Sequence, residues 1–150
     1  MNNNYDNSFV YFLSGHRDIT QDEFNKHYNK IDLYLRERLT DDELIKYTFY
    51  IGDCFGFDLM AFKHIYNNYI NNKALKQIVI CIMDNNECSS NYDYPTHEKI
   101  KIIRGFKSHE ERDCYMTENS KYDILWVRDG KWDSGTAQNF VRRKFHVKNQ

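Results

Sequence analysis

The sequence predicts a doubly wound α/β domain: a sheet of about five mainly parallel strands with helices on both faces. Three observations point there. Short β-rich runs alternate with helical stretches along the chain. In the helical stretches apolar residues recur every three or four positions. The run QIVICIM, residues 77–83, is almost continuously apolar, as a parallel strand covered on both faces must be.

The first strand is residues 8–13, SFVYFL, closed by the polar loop Ser14-Gly15-His16-Arg17. Asp22 is placed to cap a helix running to about Leu39, with Phe24, Ile31, Leu35 and Leu39 on one face. Asp41 and Asp42 separate it from a second strand, residues 47–51, YTFYI. The loop Gly52-Asp53-Cys54-Phe55-Gly56-Phe57-Asp58 leads into a helix striped by Leu59, Phe62, Ile65, Tyr66 and Tyr69. Residues 77–83 form the third strand, and polar residues 84–96, with the single proline Pro95, read as a surface loop. KIKII, residues 99–103, is a fourth strand, followed by a turn at Arg104. Ser108 caps a helix that carries Glu110, Glu111, Arg112 and Asp113 in its opening turns. Residues 124–127, ILWV, are too few for a helix and suit a fifth buried strand. The chain then passes Asp129-Gly130 and Asp133-Ser134-Gly135-Thr136 into a last helix.

In doubly wound sheets ligands bind beyond the carboxyl ends of the strands, near a reversal of strand order. Four loops are expected there: Ser14 to Arg17, Gly52 to Asp58, the turn at Arg104, and Asp129 to Thr136. The last brings unpaired N–H groups, hydroxyls and the positive end of a helix dipole to one place. Arg112 adds a planar guanidinium suited to phosphate or carboxylate. An anionic small molecule fits this set. The same residues also permit a plainer reading, in which Ser134 only caps a helix and Arg112 pairs with a nearby acid.

At 150 residues the chain is long enough for a single domain with one substantial core. With 41% hydrophobic and 29% charged residues it is globular rather than disordered. A net charge of −1 gives no bulk attraction to nucleic acid or anionic lipid. No apolar run approaches the ~20 residues that span a bilayer, so no membrane partner is expected. Residues 1–7, MNNNYDN, lack the pattern of a signal peptide and are expected to be a flexible lead-in. Cys54, Cys81, Cys88 and Cys114 form no CxxC pair, which favours reduced thiols and a cytoplasmic location. The six histidines lack zinc-site spacing, so neither a metal nor a cofactor is expected.

Three ordered blocks resemble the SLOG superfamily, which includes the DNA-processing protein DprA and the LOG phosphoribohydrolases. Ser14-Gly15-His16-Arg17-Asp18 is similar to its first loop. Gly52 to Asp58, followed by Leu59 and Ala61, is similar to its G-x-x-x-G-x-D second loop. His109 to Met116, Tyr122-Asp123-Ile124 and Ser134-Gly135-Thr136 resemble the third block. The resemblance implies a Rossmann-like fold, a pocket for a nucleotide or nucleotide-derived ligand, and self-association as a homo-oligomer. Arg112 matches the arginine that acts at ribose and phosphate in hydrolytic LOG proteins. Their catalytic glutamate is not matched, because Gln138 and Asn139 stand at the candidate positions and amides cannot ionise. Trp132-Asp133-Ser134 replaces the family's glycine pair.

The leading expectation is therefore a nucleotide-binding module, acting as a sensor. Ser14, Arg112, Gly135 and Thr136 would cradle phosphate; Gly15, Gly52 and Gly56 would let backbone approach the ligand. Asp58 would hold a ribose hydroxyl, Trp132 would stack on a base, and His16 and Arg17 would reach phosphate. On this reading Arg112→Ala weakens binding without unfolding the domain. A second expectation is a nucleoside-monophosphate N-glycosidase, with Arg112 and either Glu111 or Asp133 as catalytic groups. DprA-like DNA binding through Arg142-Arg143-Lys144, His146 and Lys148 ranks third, since nucleic acid has no larger basic surface to meet.

Overall fold

The computed structural model describes residues 8–28, 32–33, 46–85, 88–126 and 135–148. Its strands are β1 (Ser8–Ser14), β2 (Lys46–Gly52), β3 (Leu75–Met83), β4 (Ile100–Phe106) and β5 (Tyr122–Leu125). Its described helices are α1 (Gln21–His27), α2 (Phe57–Tyr69), α3 (His109–Glu118) and α4 (Gly135–Lys148). The five strands form one sheet in the order β4-β3-β2-β1-β5, and every pairing is parallel. This is the doubly wound, Rossmann-like α/β architecture. Strand order reverses across β1: β2, β3 and β4 extend to one side of it and β5 lies on the other.

Strand periodicity sends alternate residues to opposite faces, and each face has its own core. Tyr11 and Leu13 of β1 join a cluster with Phe49, Ile51, Ile78 and Ile80, against which α1 and α2 pack. Phe57, Ala61 and Ile65 give α2 an i, i+4 stripe on that side. Phe12 points the other way and meets Val79, Cys81, Phe106 and Met116 of α3. Fully burying a side chain such as Phe49 or Ile78 is worth about 1.5–3 kcal/mol, so the sheet centre is the main source of stability. None of the helices among the described residues is long and apolar enough to cross a membrane.

Two local expectations are corrected. Thr20, not Asp22, caps α1, because its hydroxyl can accept from Glu23 N at 3.1 Å while Glu23 Oε1 accepts from Thr20 N at 3.1 Å. This capping box leaves Asp22 in the first turn. Thr20→Ala should cost about 1 kcal/mol, measurable as a lower urea midpoint with an unchanged slope. Asp32 and Leu33 are helical, whereas Ile31, Leu35 and Leu39 lie outside the described residues, as do residues 1–7.

The second correction concerns Arg104. There is no turn there, since β4 continues to Phe106. The register shifts between Cys81 and Met83, which pair with Ile103 and Phe106, so Arg104-Gly105 form a bulge rather than a turn. β4 is an edge strand, and its exposed Lys101 and Arg104 are the charges that such an edge carries.

Candidate functional site

A cleft of about 390 Å³ opens at the carboxyl ends of β1 and β2, beside the reversal in strand order. Ser14, Gly15, His16, Arg17 and Asp18 line it from the loop after β1. Gly52, Cys54, Phe55 and Asp58 come from the end of β2 and the start of α2. α3 supplies His109, Arg112, Asp113 and Met116, and the first turns of α4 supply Gly135, Thr136 and Asn139.

Each wall has a local cause. Ser108 accepts from Glu111 N at 3.1 Å and starts α3, so His109 and Arg112 fall on successive turns facing the cleft. Gly52 is required by crowding: a Cβ there would stand 2.7 Å from Asp58 Oδ2 and 3.1 Å from Arg112 Cζ. The missing side chain lets these two charged groups meet over the end of β2. Gly56 is not in the cleft wall. It precedes α2 with φ +83°, a left-handed conformation that glycine adopts without penalty, pressed against the backbone of Arg17.

The charged centre is Arg112, only 6% exposed. Its Nε and Nη2 both reach Asp113 Oδ1 at 3.1 Å, and Nη1 lies 3.6 Å from Cys54 Sγ. Burial opposes its charge, but Asp113, Asp58 and Cys54 outweigh burial and hold the guanidinium more firmly protonated than usual. Asp58 accepts from Cys54 N at 3.2 Å. Burial pushes its carboxyl up to about 6 despite the opposing pull of Arg112. Burial and then Asp58 push the Cys54 thiol well above the ordinary range.

The hydroxyls face inward. Thr136 Oγ1 donates to Gly15 O at 3.0 Å, so in its 2.9 Å bond with Ser14 the serine is the donor. Asn139 Nδ2 donates in turn to Ser14 Oγ at 3.2 Å. This relay latches α4 to the end of β1. Both hydroxyl protons are held within it, so what α4 offers an anion here is the positive end of its dipole. Asn139 occupies the neighbourhood where the resemblance placed a glutamate, and is 1% exposed; Gln138 is exposed.

The fold thus brings Ser14, Gly15, His16, Arg17, Gly52, Asp58, Arg112, Gly135 and Thr136 to one cleft. His16 is buried edge-on to Trp126 at 5.1 Å. Glu111 is exposed, is absent from the cleft wall, and accepts from Lys107 N at 3.1 Å. Trp132, Asp133 and Ser134 lie outside the described residues. In the basic segment, Arg143 bonds to Thr117 O, Ser120 O and Asp123, fastening α4 to β5, while Arg142 bonds to Asn139.

Sequence reading does not single out Asp113 as a site residue, but the plainer reading, in which Arg112 pairs with a nearby acid, holds here with Asp113 as that acid. Sequence reading missed Asp53, whose carboxylate accepts from Ser89 Oγ at 2.7 Å and Tyr94 OH at 2.5 Å. Those bonds pin the loop after β3 against the end of β2 and bring Cys88 to Cys54 and His109. Compared with known proteins, the chain matches no family model, no curated protein and no solved structure.

Proposed function

We propose that the cleft binds a nucleotide or nucleotide-derived anionic small molecule, as a binding module or sensor. The observation that carries this reading is the convergence of Arg112, the N-terminus of α4 and the loops after β1 and β2 on one concavity. Its size falls in the range of small-molecule sites, and a permanent cation beside a helix N-terminus selects for negative charge. The likeness of the same loops to SLOG proteins supplies the nucleotide class. Because Asp113 already holds two guanidinium nitrogens, the anion meets Arg112 at its Nη1 edge and the N-terminal end of the α4 dipole.

A thermal-shift screen with nucleoside monophosphates, cyclic nucleotides, NAD and ADP-ribose tests this. A ligand at one hundred times its Kd adds about 2.7 kcal/mol, a rise of roughly 5–10 °C for a chain of this size. Arg112→Lys should lose at least about tenfold in affinity because it keeps the charge and loses the planar fork. No shift with any of these ligands would remove the proposal.

One observation favours an N-glycosidase as the second reading: Asp58 places a carboxyl of near-neutral pKa inside the cleft. In that reading Asp58, rather than the outlying Glu111, would serve the developing oxocarbenium charge or activate water. Chromatography after the screen would then find released base, and Asp58→Asn would abolish release while retaining binding. Intact ligand would leave the binding module alone.

A further inference from the structure

Cys54, Cys88 and His109 come from three separate segments, yet their ligand atoms lie within 4.8 Å of one another. Cys54 follows β2, Cys88 sits in the loop that Asp53 pins, and His109 is the first residue of α3. Cys88 Sγ is 2.9 Å from Cys54 Sγ and 3.4 Å from His109 Nε2. We infer that these three residues hold a zinc ion as a three-ligand site whose fourth position opens onto the cleft. This inference stands apart from the proposed nucleotide function and does not depend on it.

Bond lengths of about 2.3 Å to sulfur and 2.0 Å to nitrogen in a tetrahedron separate sulfur from nitrogen by roughly 3.5 Å, and two sulfurs by roughly 3.8 Å. The Cys88–His109 distance already fits, Cys54 Sγ lies within 4.8 Å of the histidine, and the sulfurs need to part by less than an ångström. Two neutral thiols do not rest at 2.9 Å, which is inside their van der Waals contact. Either a bond closes that gap or an ion opens it. The histidine decides between these. Arg17 Nη2 lies 3.3 Å from His109 Nε2, and a guanidinium can only donate, so Nε2 is the unprotonated nitrogen, whose lone pair a metal would take in place of Arg17. A disulfide uses no such lone pair, whereas a metal does. Arg17 is exposed and can swing clear of the ion.

Charge agrees with geometry. Two thiolates and a neutral imidazole cancel a divalent cation, and both cysteines are buried where lone thiolates would be costly. A zinc ion is softer than magnesium or calcium and prefers sulfur and imidazole donors. Cys54 and His109 line the cleft and Cys88 lies behind them, so the open coordination position faces the ligand space. Three protein ligands with one open position is the pattern of a reactive rather than a closed structural zinc site.

The test uses the full chain purified with a non-thiol reductant and without chelator. Elemental analysis should find about one zinc per chain, and reconstitution with cobalt(II) should give thiolate-to-metal charge-transfer bands with tetrahedral d–d bands. Cys88→Ser and His109→Asn should each weaken zinc binding by more than about tenfold, while Cys114→Ser, outside the cluster, should bind as the parent does. Should a variant fold poorly, titration of the metal-free parent still decides: each cobalt bound should release about two thiol protons. A chain that retains no zinc and gives no cobalt bands would overturn the inference. So would a Cys54–Cys88 disulfide that persists in the reductant, or equal zinc loss on replacing Cys114.

Discussion

Arg112→Ala is expected to lower the stability of the domain by about 3–5 kcal/mol, the usual consequence of removing one partner from a buried charge cluster. At the size of this chain that is a fall in Tm of roughly 10 °C or more, with a matching drop in the urea midpoint. The reason lies in what the guanidinium faces. Asp113 takes Nε and Nη2, and Asp58 approaches it across the space left by Gly52. Truncation leaves two carboxyls of low exposure without their counter-charge. The sequence-based expectation that this variant would only weaken binding is therefore replaced by one in which folding is also affected. Arg112→Lys keeps a positive charge, and its stability loss should be about 1–2 kcal/mol. An alanine variant as stable as the parent would show that Arg112 does not organise the cleft.

The fold was legible because its signals are local. QIVICIM can only be comfortable between two covered faces, and the stripe Leu59, Phe62, Ile65, Tyr66 and Tyr69 has helical spacing, with Phe62, Ile65 and Tyr69 in the core. Capping chemistry was less clear: Thr20 and Asp22 are both good caps, and the choice fell to Glu23, which completes a box with Thr20 alone. A turn is expected at Arg104, after the apolar run ends, yet the strand passes it through a bulge. The loops after β1 and β2 and the start of α4 could be placed at the cleft in advance because doubly wound sheets gather such loops at one end, whereas Arg104 does not line it. What each side chain does there could not. Ser14 and Thr136 are at the site, but a relay from Asn139, 125 residues beyond Ser14, turns their protons inward. The Cys54, Cys88 and His109 cluster was invisible for the same reason. It depends on Asp53 tethering a loop some 36 residues away, and no spacing rule covers three unlinked segments.

Asp58 should make the domain less stable as pH rises from about 4 to 6. Its folded carboxyl titrates near 6 against 3.8 when unperturbed, so in that window the folded state holds a proton that the unfolded chain has released. Stability therefore declines through the window and levels off above it. The span of roughly two units corresponds to about 3 kcal/mol at neutral pH. Burial is the leading cause, with Asp113 and Asp53 adding repulsion and Arg112 and Cys54 N offsetting part of it. Asp58→Asn keeps an oxygen for Cys54 N and has no charge to desolvate. Measured with a chelator present, the variant should match the parent near pH 4 and exceed it at pH 8, where its Tm should be roughly 5–10 °C higher. Groups remote from Asp58, Asp123 with its raised pKa among them, act on parent and variant alike, so the difference between the two curves belongs to Asp58 and the neighbours it interacts with. Parallel curves would refute the assignment. A divergence would identify a carboxyl kept at the mouth of β2 against the interest of stability, which is how a residue retained for its chemistry behaves. Such a group in a cleft beside a fixed cation can change charge near neutral pH as a ligand arrives, and ligand affinity should then fall as Asp58 ionises between about pH 5 and 7.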